Sequence, residues 1–211
     1  MATIKEIAKL AEVSTTTVSY VLNGTKKLTP ETTKRVKDAI KKLNYSPNTV
    51  AQNLRKGTTT TIGVITEDIR RFPTPEIING IGEKLEKVQY NMLVHDLRLY
   101  EKIWPDYEKI VYYKKRINRG IQLLQQSMVS GIIYVCMHDR KIGKLIEPID
   151  IPIVYAYAYC SEEESFVTYD DFISAKQMTE HLINLGHKNI GVICGYSGSY
   201  PTQTRLKGIM S

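Results

Sequence analysis

The chain has 211 residues and a formal net charge of +7 at pH 7. Its length allows one small and one medium-sized domain, each with a core of its own. The sequence contains no run of about 18 apolar residues and no signal-peptide core, which excludes a membrane-spanning segment of that kind and a secretory signal.

The net positive charge comes entirely from residues 1–60, which we call the head. The head contains eleven Lys or Arg and four Asp or Glu, whereas residues 61–211, the body, contain eighteen of each. A charge block of this kind predicts a module that binds a polyanion, joined to an electrically neutral domain.

The first two helices of the head are marked by their N-terminal residues. Thr3 and Glu6 have the spacing of a capping box, and Ser14 is a favourable N-cap for a second helix at about 15–22. The apolar stripe of the first helix is Ile4, Ile7, Ala8, Leu10 and Ala11. A turn centred on Glu12 separates the helices. This spacing is typical of a helix-turn-helix, whose second helix enters the major groove of DNA.

Two further helix starts follow in the head. Thr29-Pro30-Glu31 combines an N-cap, a proline at the first helical position and an acid in the first turn. Ser46-Pro47 is a similar start, and residues 48–54 could form two turns. Seven residues are too few for a stable isolated helix in water, although the sequence has the signals of a helix start.

The body alternates short β-branched runs with helical stretches, which predicts an open α/β sheet of parallel strands. Ligands of such sheets bind beyond the carboxyl ends of the strands. The predicted strands are 62–66, 90–95, 131–137, 151–157, 166–169 and 190–194, and the predicted helices are 76–88, 114–128, 141–147 and 172–185.

The motifs of the head resemble the lactose-repressor family of bacterial regulators. The similarity covers residues 3–66 without a gap, through TIKEIAKLAEVSTTTVSYVLNG and LTPETTKRVKDAIKKLNYSPNTVAQNLRKGTTTTIGVI. In the body, DDFISAKQMTEHLINLGHKNIGVI is similar to the same family, whose sensor domain resembles periplasmic sugar-binding proteins with two lobes and a cleft between them.

The resemblance implies four regions. They are a helix-turn-helix DNA-binding domain at 1–46, a hinge helix and linker at 47–60, a first lobe at 61–160 and the start of a second lobe at 161–211. We expect the second lobe to be incomplete, because the sequence ends at Ser211 soon after that lobe begins.

The resemblance also implies the residues that contact DNA. They are Thr3, Ser14, Thr15, Thr16, Thr17, Tyr20, Asn23, Thr29, Thr32, Asn48, Ala51 and Leu54. Leu54 would act as an apolar wedge between base steps of the minor groove. The alternative for Leu54 is a leucine that covers the surface of the body.

Two residues of the head depart from the family pattern. Tyr20 stands where most relatives have an arginine that binds guanine, so we expect a different preference at one operator base. Glu12 replaces the usual turn glycine, which costs about 1 kcal/mol if its backbone is left-handed.

Three residues of the body are implied in effector binding. Arg205 matches an arginine that grips the effector, with a surface arginine as the alternative. Tyr157 stands where many relatives have an acid or an arginine, and Phe72 borders the cleft. Arg70 and Arg71 replace neutral residues of the relatives, which leaves an anionic effector open.

Residues 97–113 are about a dozen residues longer than the resemblance implies, and contain the single tryptophan, Trp104. Their aromatic content predicts a packed surface insertion or a partner contact. The cysteines at 136, 160 and 194 have no metal or CxxC spacing, which predicts buried thiols.

We therefore expect a cytoplasmic, nucleoid-associated transcriptional repressor that acts as a homodimer on a pseudopalindromic operator and responds to a small molecule such as a sugar. The alternative is a small-molecule-binding protein with a vestigial head. The sequence has no nucleophile–base pair, metal-ligand cluster or phosphate loop, so we expect no enzyme activity and no cofactor.

Overall fold

The computed structural model describes residues 2–45, 59–137, 139–140, 142, 145–158 and 164–211. The chain divides into two compact units, Met1–Gly57 and Thr58–Ser211. The predicted fourth helix of the head, with Asn48, Ala51 and Leu54, lies outside the described residues. No helix in the described part of the chain is long and apolar enough to cross a membrane.

The three predicted helices of the head form, and their caps confirm the starts that the sequence indicates. The helices are α1 Ile4–Leu10, α2 Thr15–Asn23 and α3 Pro30–Lys42. At α1, the Thr3 hydroxyl accepts from the Glu6 N–H while the Glu6 carboxylate accepts from the Thr3 N–H, at 3.3 and 2.7 Å. Ser14 and Thr29 cap α2 and α3 in the same way, each accepting from an N–H three residues later. Side-chain acceptors therefore fix where all three helices begin.

The core of the head takes one fully buried residue from each helix: Ile7 from α1, Val18 from α2 and Val36 from α3. Leu10 was expected in the apolar stripe of α1, but 43% of it is exposed. Ile7 and Ala11 lie at the centre of the helix face that packs on the core, and Leu10 lies at the edge of this face. The three-helix packing therefore leaves Leu10 partly uncovered.

Left-handed backbone forms the turns on both sides of α2. Gly24 follows the helix with φ 62°, a conformation that glycine adopts without steric cost. Glu12, in the turn between α1 and α2, has φ 53°. The predicted strain at Glu12 is thus present in the folded head.

The body contains a five-stranded sheet in the order β2-β1-β3-β4-β5, and every neighbouring pair is parallel. This confirms the predicted open α/β sheet. The strands are β1 Thr61–Thr66, β2 Asn91–Asp96, β3 Gly131–Val135, β4 Ile153–Ala156 and β5 Ser165–Val167. Because all strands run in one direction, their carboxyl ends lie along a single edge of the sheet.

The helices of the body lie between and after the strands. They are α4 Thr74–Lys87, α5 Tyr100–Ile103, a 3-10 helix Tyr107–Tyr113, α6 Lys114–Gln126, α7 Asp171–Asn184 and α8 Tyr200–Ile209. α6 buries Ile117 and Ile121 and packs closely on the sheet, because a Cβ at Gly120 would lie 2.8 Å from side-chain atoms of Ile65 and His95. α7 and α8 are equally close, since a Cβ at Gly208 would clash with the Phe172 carbonyl.

The predicted strand 190–194 does not form: these residues have no regular secondary structure, and Ile193 is fully exposed. A strand needs a neighbour for its backbone N–H and C=O groups, and none pairs with this segment among the described residues. The prediction that Cys194 is buried is wrong for the same reason, whereas Cys136, directly after β3, is buried. Cys160 lies outside the described residues, as do residues 141, 143 and 144 of the predicted helix 141–147. The four described residues of that segment, 142 and 145–147, are not α-helical, so no helix is confirmed there.

Residues 97–113 are an ordered, packed insertion, as their aromatic content predicts. Leu99, Ile103 and Ile110 are buried in the main core of the body. Outside that core, the Trp104 ring stacks on Tyr100 with centroids 5.5 Å apart, and half of the tryptophan remains exposed.

The left-handed Glu12 leads to a prediction. Glu12→Gly should raise the free energy of unfolding of the head by about 0.5–1 kcal/mol. Glycine removes the steric strain of the Cβ, but it also increases the conformational entropy of the unfolded chain, which offsets part of this stabilisation. Amide hydrogen exchange of Ile7 and Val18 measures this opening free energy.

Asn44→Gly is the matched control, because Asn44 also has a positive φ of 46° but asparagine tolerates this region better. Its gain should be smaller. A loss of protection in Glu12→Gly would contradict a strained turn.

Candidate functional site

The exposed face of α2 presents polar side chains. Thr15 and Thr16 are exposed, and Tyr20 and Asn23 are half-buried. Thr16, Tyr20 and Asn23 follow one another at intervals of four and three residues, so they lie on one face of the helix. Thr17 is also half-buried, and its hydroxyl is 2.9 Å from the Ser14 hydroxyl. The helix thus offers one face to a flat or grooved partner, with Thr17 turned toward its cap.

The other predicted DNA contacts of the head lie at helix ends. Ser14, Thr29 and Thr32 surround the N-termini of α2 and α3, where the helix dipole and free N–H groups favour an anion. The N–H and hydroxyl of Thr3 donate hydrogen bonds to the Glu6 carboxylate, and these bonds lower the pKa of Glu6. The Asn23 amide donates to the carbonyl and hydroxyl of Ser19. Contacts of all these residues with phosphate stay a prediction.

The positive charge of the head is on its surface. All nine Lys and Arg of residues 2–45 are exposed, and no head residue takes part in the ion pairs found in the described chain. A charge that is not neutralised internally attracts a polyanion most strongly at low salt.

In the body, polar residues meet at the carboxyl edge of the sheet. Tyr157 follows β4 with φ 56° and is 9% exposed, and its ring makes an edge contact with Tyr169, which follows β5, at 5.5 Å between centroids. Arg205 on α8 donates through Nε to Asp171 Oδ1 at 2.7 Å. Burial and the nearby charge of Asp171 raise the pKa of Tyr157 to about 12. Tyr157 and Arg205, predicted separately, therefore both lie near Asp171.

Sequence reasoning missed two buried acids of this site. Asp139 is 2% exposed and accepts from the Thr168 hydroxyl at 2.9 Å, and Asp171 is 6% exposed. Asp139 Oδ1 and Asp171 Oδ2 have no hydrogen-bond partner among the described residues. Burial, with a smaller contribution from Asp171, raises the pKa of Asp139. Their place just after β3 and β5 was the available signal, because ligands bind at that edge.

A buried network lies beside these acids. Glu67, fully buried after β1, accepts hydrogen bonds from the Tyr134 hydroxyl and the Met137 N–H at 3.1 and 3.2 Å, and pairs with Arg140. Burial and the charge of Glu67 raise the pKa of Tyr134. Because Met137 and Arg140 flank Asp139, Glu67 holds the segment that carries this acid.

Both arginines of the segment after β1, Arg70 and Arg71, interact with neighbouring side chains of the body. Arg70 forms two hydrogen bonds of 3.0 Å with Asp68 and lies 3.5 Å from Glu101, and the Arg71 guanidinium lies 3.6 Å from the centre of the Tyr100 ring. Phe72 is 81% exposed. The arginines are thus neutralised or stacked within the body, which weakens the case for an anionic effector.

Two cavities adjoin the polar residues. A small one of about 130 Å³ is lined by Tyr157, Thr168, Tyr169 and Ile77 of α4 together with two residues of the strands. A larger one of about 390 Å³ lies between α7, α8 and residues 190–195, mostly against apolar side chains but also against Asp171 and Arg205. The Asp171–Arg205 pair therefore borders the larger cavity, while Tyr157 borders the smaller one.

Two family models match the chain. The model of bacterial regulatory proteins of the lacI family matches residues 3–48. The model of periplasmic binding proteins and the sugar binding domain of the LacI family matches residues 108–211.

Curated relatives and solved structures agree with these matches. The HTH-type transcriptional repressor PurR of Actinobacillus pleuropneumoniae serotype 5b (strain L20) is 32% identical over 212 residues, which cover 100% of this chain and 59% of PurR. The ribose operon repressor of Haemophilus influenzae is 30% identical over 209 residues, with 99% and 59% covered. The structure of the lac repressor dimer bound to operator and the anti-inducer ONPF shares the fold, with a TM-score of 0.76 at 22% identity over 99% of this chain and 60% of that one.

The chain thus spans about 60% of the length of these proteins. At 22% sequence identity, the similarity to the solved structure shows a common fold only.

The raised pKa of Asp139 predicts how stability depends on pH. Between the ordinary pKa of 3.8 and the higher pKa of the folded state, folded Asp139 binds more protons than unfolded Asp139. The stability contributed by protonated Asp139 is therefore present below pH 3.8 and lost as the pH rises through the folded pKa. Asp139→Asn keeps an acceptor for Thr168 without a charge, so it should unfold at higher urea concentration than the wild type at pH 7.

The advantage of Asp139→Asn should shrink as the pH falls toward 3.8. The exposed Asp150 supplies the control, and Asp150→Asn should leave the urea midpoint unchanged. Equal midpoints for Asp139→Asn and wild type across the pH range would rule out a buried, proton-binding Asp139.

Proposed function

Because the chain belongs to the lacI family of bacterial regulatory proteins, we propose that it is a sequence-specific DNA-binding transcriptional repressor controlled by a small-molecule effector. The observation that carries this proposal is the exposed polar face of α2 on a head whose nine described basic residues are all at the surface. The face supplies donors, acceptors and methyl groups for base edges, and the charge supplies affinity for the phosphate backbone.

The proposed mode of binding is a homodimer on a pseudopalindromic operator. Two equal heads contact two half-sites, so the symmetry of the DNA mirrors that of the protein. The named relatives are repressors, and the lac repressor structure is a dimer bound to its operator. Residues 47–60 would supply a hinge helix from each chain, with Asn48 and Ala51 against the minor groove and Leu54 as the wedge.

We place the effector at the carboxyl edge of the sheet, beside Tyr157, Asp139, Asp171 and Arg205. Arg205 is already paired with Asp171, and Asp139 adds a second carboxyl group with an oxygen that lacks a partner among the described residues. A ligand with several hydroxyl donors, such as a sugar, matches these acceptors, and the two tyrosine rings offer an apolar face for it. An anion would face two buried carboxyl groups and only one paired arginine.

Effector binding would act on the head by changing the populations of two states of the body. A ligand shifts such an equilibrium only through its different affinity for the two states. The Asp171–Arg205 pair joins the start of α7 to α8 beside the site, so a ligand that competes for Asp171 would loosen α8.

The proposal is tested with the full chain on a pool of random duplexes, followed by a salt titration on the selected site. The logarithm of the binding constant should fall linearly with the logarithm of salt concentration, with a slope of about −0.9 for each phosphate neutralised. Thr16→Ala should bind the selected duplex more weakly by about 1 kcal/mol or more, but random duplex as before. Thr25→Ala, at an exposed position in the loop after α2, is the control.

Failure to bind any duplex at low salt would contradict a DNA-binding regulator. If sugars still shifted the melting temperature of that protein, the alternative of a small-molecule-binding protein with a vestigial head would hold. Equal affinities of Thr16→Ala and Thr25→Ala would remove α2 from base recognition.

A further inference from the structure

A cation lies over the aromatic ring of Tyr20, on the face of α2 that is proposed to contact bases. The Lys26 Nζ is 5.7 Å from the centre of the Tyr20 ring. Tyr20 belongs to the same helix face as Thr16, and Lys26 lies two residues after the left-handed Gly24 at which the helix ends. An ammonium within about 6 Å of a tyrosine centroid is attracted by the electron-rich face of the ring.

This ammonium brings to the face a group that Tyr20 itself lacks. A tyrosine hydroxyl is a single, uncharged donor, whereas guanine presents two acceptors, N7 and O6, in the major groove. The ammonium of a lysine has three hydrogen-bond donors. Lysine and arginine are the side chains that most commonly bind N7 and O6 of guanine. Lys26 is exposed, so its ammonium is open to a partner while the neighbouring ring limits the directions it takes.

We propose that Lys26 binds guanine at one symmetric position of the operator, and that Tyr20 is a positioning residue that holds its ammonium beside α2. The inference rests on the proposed function and adds a specificity-determining residue that lies outside the recognition helix. The neighbouring Lys27 is also exposed, and no ring contact of Lys27 is found in the described head, so it serves as a phosphate-binding comparison.

The first test compares Lys26→Met with Lys27→Met in the full chain, by selection from random duplexes. Methionine keeps much of the length and the apolar stem of lysine but removes the charge. Lys26→Met should lose the guanine preference at one symmetric position and keep it elsewhere. Lys27→Met should weaken all duplexes alike and leave the selected sequence unchanged.

The second test modifies the base. Replacing the guanine at that position by 7-deazaguanine removes the N7 acceptor without altering pairing. The affinity of the wild type should fall about tenfold, whereas that of Lys26→Met should hardly change, since this variant has no ammonium to bind N7. Equal decreases in the two proteins would show that another residue binds N7 and would overturn the proposal.

The third test separates the ring of Tyr20 from its hydroxyl. Tyr20→Phe keeps the ring and should retain the guanine preference, whereas Tyr20→Leu should reduce it although Lys26 is intact. Loss of the preference in Tyr20→Phe would assign the base contact to the tyrosine hydroxyl and overturn the positioning role.

The outcomes distinguish this inference from the function on which it rests. A chain that binds no duplex refutes both. A chain that selects a sequence, with an unchanged profile in Lys26→Met, remains a DNA-binding regulator but refutes the lysine contact.

Discussion

The uncompensated positive charge of the head is the constraint on which the rest depends. Nine exposed Lys and Arg in residues 2–45 repel one another, and no ion pair with a head residue is found in the described chain to offset this. The fold tolerates the repulsion because Ile7, Val18 and Val36 form a compact core and each helix has a side-chain cap. A polyanion would relieve the repulsion, so the proposed binding of DNA would also stabilise the head.

In the body, the costly feature is a pair of acids at the carboxyl edge of the sheet. Asp139 and Asp171 are almost fully buried, and each has one oxygen with a partner and one without among the described residues. Buried charges of this kind are costly unless donors complete their hydrogen bonds. A hydroxyl-rich ligand would supply those donors. In the proposed function, the local cost of burying these carboxyl groups would thus be recovered as affinity for the effector.

Much of the fold follows from local sequence rules, and the exceptions have physical reasons. The caps at Thr3, Ser14 and Thr29 involve residues three apart, so spacing alone predicts them. The segment 190–194 has the composition of a strand, but composition does not supply the neighbour that a strand requires. The pairing of Arg205 with Asp171 and the contact of Lys26 with Tyr20 join separate elements, and no local pattern in a single sequence indicates them.

The central claim, that the charge of the head drives DNA binding while the neutral body does not, is tested most directly by moving the same change of charge between the two units. The full chain with Lys5→Gln and Lys27→Gln should bind every duplex more weakly, and its salt dependence should be less steep by about one unit for each phosphate that is no longer neutralised. The full chain with Lys84→Gln and Lys87→Gln, two exposed lysines of α4, should match the wild type in affinity and slope. Equal weakening of both double variants, or unchanged binding of the first, would contradict the account.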